Sequence, residues 1–319
     1  MKFCRLITVL LAASLLTGCK HHSGGTPNAA SAQSVQIYNN IPDTSVQAVK
    51  ISNLYYVERK RTSIEQTLDL YLPSNNKLRP FKVIIWIHGG SWLGGDKNAD
   101  VLPARLMSDK YAVASLDYRF SNEATFPAQI YDVKAAVRFL RANAKKYHLD
   151  PDRFAVWGTS AGGYLAAMLG TTGRVKSMEG TSGWGNQSSR VQAVIDWCGP
   201  TDFNTIESQA GPHNKLRFNT PGSAVYDLMG GRTDKESLAS ASPITYASKD
   251  DPPFLIMHGD VDDAIPPAQS QELYEKLRDQ GVDATYHLLH GYGHAFAAPE
   301  HLKYAEDFLE RTLANPEKQ

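Results

Sequence analysis

The chain has 319 residues, 42% of them hydrophobic, with 33 Lys and Arg against 33 Asp and Glu. That length can bury one large α/β core. Balanced charge without a basic stripe or patch argues against a nucleic-acid partner, and no internal repeat is visible.

In chain order, Lys2 and Arg5 precede the apolar residues 6–16. A charged start and a short apolar run form a secretory signal, too short for a membrane-spanning helix. It closes in Leu16-Thr17-Gly18-Cys19, which resembles a bacterial lipobox. The resemblance implies cleavage before Cys19, a diacylglyceryl group on its thiol and lipid anchoring in a bacterial cell envelope. Lys20 follows, with no Asp to suggest inner-membrane retention, so the outer membrane is the expected address. Loss of residues 1–18 leaves 31 basic against 33 acidic residues, a formal charge of −2. Residues 19–45 are rich in Gly, Ser, Asn and Gln and read as a flexible tether. The folded domain is expected from residue 46 to residue 319.

Residues 49–57 and 66–72 read as an antiparallel edge hairpin. Alternation follows: strand 83–87, helix 100–108, strand 112–116, helix 129–146, strand 154–157, helix 164–169. Strands 191–195, 254–257 and 284–289 and helices 268–280 and 300–313 complete the pattern. Strand–helix alternation predicts an α/β fold, a mostly parallel sheet with helices on both faces. Ile130, Val133, Val137 and Leu140 form a helical apolar stripe for the core. Two segments break the alternation, 177–190 and 203–242. Both are candidates for a cap or pocket wall, because ligands bind beyond the C-terminal ends of such strands.

Gly158-Thr159-Ser160-Ala161-Gly162 joins a short apolar strand to an Ala/Leu-rich helix. In that context it reads as a nucleophile elbow, with Ser160 as the nucleophile. Ser182, in Gly180-Thr181-Ser182-Gly183, follows no strand and is the weaker candidate. His88-Gly89-Gly90-Ser91-Trp92 follows another strand, and its backbone N–H groups suit an oxyanion hole. The donors expected are the N–H groups of Gly90 and Ser91 with that of Ala161. His88 is expected to hold the loop, and Trp92 to line an acyl pocket or to pack.

A carboxylate must orient the base. Asp262 is best spaced beyond strand 254–257, with Asp260, Asp263 and Asp196 as rivals. For the base, His294 in Gly291-Tyr292-Gly293-His294 is favoured over His290, nearer the strand end. The order Ser, Asp, His is that of α/β-hydrolases. Once Cys4 leaves with the signal and Cys19 is lipidated, only Cys198 remains. No internal disulfide can form, and Cys198 reads as buried packing. No Cys/His cluster has metal-ligand spacing, and no cofactor is expected.

These motifs resemble the α/β-hydrolase superfamily. Within it they resemble the bacterial esterase/lipase group that shares the feruloyl-esterase-like (BD-FAE) domain, bordering the hormone-sensitive-lipase branch. The likeness runs from about residue 68 to residue 313. It rests on His88–Trp92, Asp117-Tyr118-Arg119, Phe126-Pro127, Gly158–Gly163, Asp196–Asp202, His258–Pro266 and Gly291–Phe296. Ser91 stands where the lipase branch usually has a third glycine. The resemblance implies a serine carboxylesterase for short acyl or aryl esters, including acetyl or feruloyl esters of plant-wall carbohydrate. Trp92 and Trp184 are the expected substrate-binding aromatics. An amidase or peptidase with the same triad, formamidase-like, is the alternative. A non-catalytic envelope binding protein is a third reading. The oligomeric state is not legible.

Overall fold

The computed structural model describes residues 35–38, 48–57, 66–74, 80–98, 101–106, 110–212 and 214–314. The signal and Cys19 lie outside the described residues. Nine strands form one sheet: β1 (Val35–Tyr38), β2 (Ala48–Tyr55), β3 (Thr67–Pro73), β4 (Phe81–Ile87), β5 (Tyr111–Leu116), β6 (Leu149–Thr159), β7 (Ala193–Trp197), β8 (Phe254–Gly259) and β9 (Ala284–Leu289). Their spatial order is β1-β2-β3-β5-β4-β6-β7-β8-β9. The run from β5 to β9 is parallel, while β1, β2 and β3 pair antiparallel at one edge. Val35–Tyr38 lies inside the stretch read as a tether and adds a strand outside the expected hairpin.

Helices α1 (Ala128–Ala142), α2 (Ala144–Tyr147), α3 (Ala161–Thr171), α4 (Ile206–Gln209), α5 (Ala224–Leu228), α6 (Lys235–Ser240), α7 (Ala268–Asp279) and α8 (Pro299–Thr312) complete the described elements with three short 3₁₀ turns. Apolar residues of β4 alternate between two cores. Val83, Ile85 and Ile87 pack in the core that holds α1, α3 and α7. Ile84 and Trp86 pack in the core that holds Ala305, Phe308 and Leu309 of α8. A strand covered on both faces has no polar side to show, so β4 and β8 read as continuous apolar runs. Ile130, Val133, Val137 and Leu140 are fully buried, as the stripe in α1 requires.

Two helices differ from expectation. Within the stretch 100–108, the described residues form a 3₁₀ turn, Leu102–Leu106, in place of an α-helix. Pro103 lies within it and cannot donate to a helical ladder. The helix expected over 129–146 breaks at Asn143, whose backbone N–H and side-chain amide both bond the Phe139 carbonyl. A side chain that competes for its own helix carbonyl favours the break.

Candidate active site

Parallel strands deliver the chemistry at their C-terminal ends, where an open α/β sheet binds ligands. β4 leads to Gly90, β6 to Ser160, β7 to Cys198, β8 to Asp262 and β9 to His294.

Ser160 sits between β6 and α3 at φ 56°, ψ −122°, a conformation few residues with a Cβ adopt. Two bonds hold it there. Its N–H donates to the Trp197 carbonyl at 2.8 Å, and its carbonyl accepts from the Tyr164 N–H at 3.0 Å. The flanking glycines are sterically required. A Cβ on Gly158 would lie 2.1 Å from the Gly162 oxygen, and one on Gly162 would lie 2.1 Å from the Ile87 oxygen. The close approach of β4, β6 and α3 therefore sets the sharp turn. It also places Ser160 at the N-terminus of α3, where N–H groups lack helical acceptors and favour negative charge.

A hydrogen-bonded chain runs from that serine. Ser160 Oγ lies 2.9 Å from His294 Nε2, and His294 Nδ1 lies 2.7 Å from Asp262 Oδ2. With Nδ1–H donating to the carboxylate, Nε2 is free to accept the serine proton. The Asp262 side chain is fully buried. Its Oδ1 accepts the N–H groups of Ala264 (2.8 Å) and Ile265 (2.9 Å). Burial pushes the carboxyl up. Bonds from His258 and His294 outweigh burial and hold Asp262 well below the usual carboxylate range. For His294, burial disfavours the imidazolium. The Cys198 sulfur and the Asp262 carboxylate more than offset this and raise the ring above its ordinary 6.5.

Two neighbours were not singled out for the site from sequence. His258 is fully buried, and its Nε2–H reaches Asp262 Oδ2 and the Ile265 carbonyl, both at 3.0 Å. Its Nδ1 accepts from the Ser270 hydroxyl at 2.7 Å. The available signal was a histidine ending an apolar strand four residues before the acid. Cys198 is buried as expected, but it also donates its Sγ–H to the His294 carbonyl at 3.3 Å.

The rival residues lie elsewhere. His290 is 84% exposed at its side chain and pairs with Asp260, which also accepts the Gly291 N–H. Asp263 pairs with Lys215. Asp196 is buried and pushed up to about 7 by burial. Its Oδ1 accepts the Gly199 N–H at 2.9 Å, and it bonds no histidine among the described residues. The Ser182 carbonyl accepts from Arg138 on α1.

Gly90, Ser91 and Ala161 line the cleft beside Ser160. Gly90 has φ +114°, and a Cβ there would lie 2.1 Å from the Gly94 oxygen. Its carbonyl is turned into its own loop, accepting from Leu93 and Gly94 at 3.0 and 3.2 Å. No described residue accepts the N–H of Gly90 or Ser91. Ser91 and Trp92 take positive φ, 55° and 58°. His88 braces this loop: Nδ1–H donates to the Gly89 carbonyl at 2.6 Å, and the ring stacks on Tyr118 at 4.7 Å.

The cleft measures about 1030 Å³. Trp92 lines it and meets Tyr164 and Phe203 edge-on at 5.1 and 5.9 Å. Trp184 does not belong to it. That ring packs on Phe139 of α1 at 5.0 Å, and its segment is tied down by Arg138 and Glu179, so the expected substrate contact is withdrawn. The segment 177–190 is thus an anchored surface loop. The segment 203–242 does supply a wall, through residues 215–218 and 220–225. Cys198, Asp262 and His294 offer metal-ligand atoms within 4.8 Å of one another, among the described residues. Each of these side chains is already engaged in the chain of hydrogen bonds above.

Sheet, elbow and strand-end loops together define an α/β-hydrolase fold, and the chain belongs to the BD-FAE family, whose sequence model matches residues 68–277. Among solved structures, a truncated form of a carbohydrate esterase from gut microbiota is similar, with a TM-score of 0.75 and 33% identity. That match covers 83% of this chain and 96% of that one. Esterase LipC of Mycobacterium tuberculosis is 32% identical over 248 residues, 76% of this chain and 60% of LipC. Isoprenylcysteine alpha-carbonyl methylesterase ICME of Arabidopsis thaliana is 29% identical over 238 residues, 71% of this chain and 53% of ICME. The chain thus spans somewhat over half the length of these curated relatives.

Proposed function

We propose that this protein is a serine carboxylesterase. The observation that carries the reading is the chain Ser160–His294–Asp262, with contacts of 2.9 and 2.7 Å at the cleft. Ser160 Oγ attacks the ester carbonyl while His294 Nε2 takes its proton. The carbonyl oxygen becomes an oxyanion, held by the N–H groups of Gly90, Ser91 and Ala161. As the tetrahedral intermediate collapses, His294 returns the proton to the leaving alcohol. An acyl-Ser160 ester remains. Water, deprotonated by His294, then frees the acid and restores the serine hydroxyl. Asp262 keeps the imidazole in one tautomer and stabilises its cation throughout.

The substrates proposed are short acyl or aryl esters, including acetyl or feruloyl esters of carbohydrate. The carbohydrate esterase named among the similar structures supports that class. Trp92 lines the cleft as a buried aromatic. An envelope location, anchored through lipid on Cys19, is proposed with it and rests on the lipobox. An activity panel of acetyl-sugars, feruloyl esters and graded acyl chains, with matched amides, tests the reading. Hydrolysis of esters well above amides is expected. Matched rates on amides would favour the amidase alternative.

A further inference from the structure

The mouth of the catalytic cleft carries cationic side chains. The buried lining of the cleft is apolar, with Trp92, Phe218, Val225, Ile265 and Phe296 among it. Its exposed lining includes Arg105, Lys215 and Arg217, and among the described residues no Asp or Glu lines it. Two described carboxylates beside this wall are engaged, one of them with a cation of the wall itself. Asp263 pairs with Lys215 at 2.5 Å. Glu207 Oε2 accepts the N–H groups of Phe218 and Asn219 at 2.8 and 3.3 Å. Arg217 has no ion-pair partner among the described residues, where the other wall cation, Lys215, does. A guanidinium is the side chain best shaped to grip a planar carboxylate through two N–H bonds.

We infer that the mouth of this cleft selects esters whose alcohol portion carries an anionic group, with Arg217 as a specificity-determining residue. The inference rests on the esterase reading for its place in the reaction. A short acyl group fills the buried apolar part beside Ser160. The leaving alcohol then projects past the exposed rim, where Arg217 stands. A carboxylate, as on a uronic or aromatic acid, or a sulfate would satisfy the same chemistry.

Two readouts on the full chain test it at low salt. One is calorimetric binding of 4-hydroxybenzoate, 4-hydroxybenzenesulfonate and neutral 4-hydroxybenzamide. The other is kcat/KM for 4-acetoxybenzoate against 4-acetoxybenzamide. Both are run on wild type, Arg217→Gln and Arg217→Lys. In wild type the anions should be preferred by about two- to fivefold, the scale of an exposed ion pair. That preference should fall towards unity in Arg217→Gln, survive in part in Arg217→Lys and weaken at 0.5 M salt, where the screening length drops to a few ångströms. Benzoate and benzenesulfonate arms separate carboxylate from sulfate recognition. Equal affinity for anion and amide in wild type, or an undiminished preference in Arg217→Gln, overturns the inference. If neither ester turns over, the esterase reading falls, and the binding ratios still decide the anion site. If both turn over equally and bind equally, the esterase reading stands and the anion site falls.

Discussion

His258 and His294 meet on one oxygen: Oδ2 of Asp262 receives both rings, at 3.0 and 2.7 Å. The buried ring of His258 fixes the carboxylate that orients His294. His258→Ala removes that brace and leaves Ser270 and the Ile265 carbonyl without their partner. Losing a buried bond to a charged group costs about 1.5–3 kcal/mol. A clear drop in the urea midpoint is expected, together with reduced kcat. An unchanged midpoint would show that His258 does not hold Asp262.

Asp262→Asn should lower kcat far more than Asp260→Asn or Asp263→Asn. For the equivalent change in a serine protease triad the loss is about 10⁴, a magnitude taken over from that protein. Asp260 holds exposed His290 and the Gly291 N–H, and Asp263 holds exposed Lys215, so neither meets His294. The pH dependence follows from the raised His294. The base works only when neutral, so kcat/KM falls as pH drops through the His294 pKa, which lies above 6.5. Asp262→Asn removes the charge that favours the imidazolium, so the acidic limb should move to lower pH. The same raised pKa implies a stability contribution that is full below 6.5 and fades as pH rises through the folded value. A limb that stays in place in Asp262→Asn would show that the carboxylate does not set it.

On p-nitrophenyl esters without micelles, kcat/KM should peak at C2–C4 and fall by C10. The segment 203–242 folds into the short helices α4, α5 and α6, not a long apolar lid. Without a deep groove, added methylenes do not gain the roughly 0.8 kcal/mol each that burial would give. An optimum at C10 or above would favour a lipase.

Cys19→Ala, expressed with its own signal, should move the protein from the detergent phase to the aqueous phase. Several acyl chains give stable anchoring, and one gives only marginal binding. Identical partitioning of wild type and variant would refute lipidation.

Much of this was legible in the sequence because the constraints are local. Gly158 and Gly162 touch backbone directly, so the elbow pattern carries its own steric reason. Continuous apolar runs marked strands buried on both faces, and β9 falls over Ala284–Leu289 as expected. What was hidden depends on long-range packing. Trp184 reads as an aromatic in a polar loop, and only the fold shows it docked on Phe139 rather than near Ser160. The bond from Cys198 to the His294 carbonyl joins residues 96 apart, which no spacing rule reveals. Pro103 is a local exception, a missing N–H inside the 3₁₀ turn where the apolar pattern alone suggests a helix.

The central claim is that Ser160 forms the acyl-enzyme, and Ser160→Ala compared with wild type tests it most directly. The measurement is p-nitrophenyl acetate turnover alongside mass spectrometry after fluorophosphonate treatment, with circular dichroism as the control for folding. Wild type should hydrolyse the ester and carry the phosphonyl adduct on Ser160. Ser160→Ala should keep the same spectrum, lose turnover by at least about a thousandfold and take no adduct. A correctly folded Ser160→Ala variant with turnover within about tenfold of wild type, or an adduct on another residue, would contradict the account.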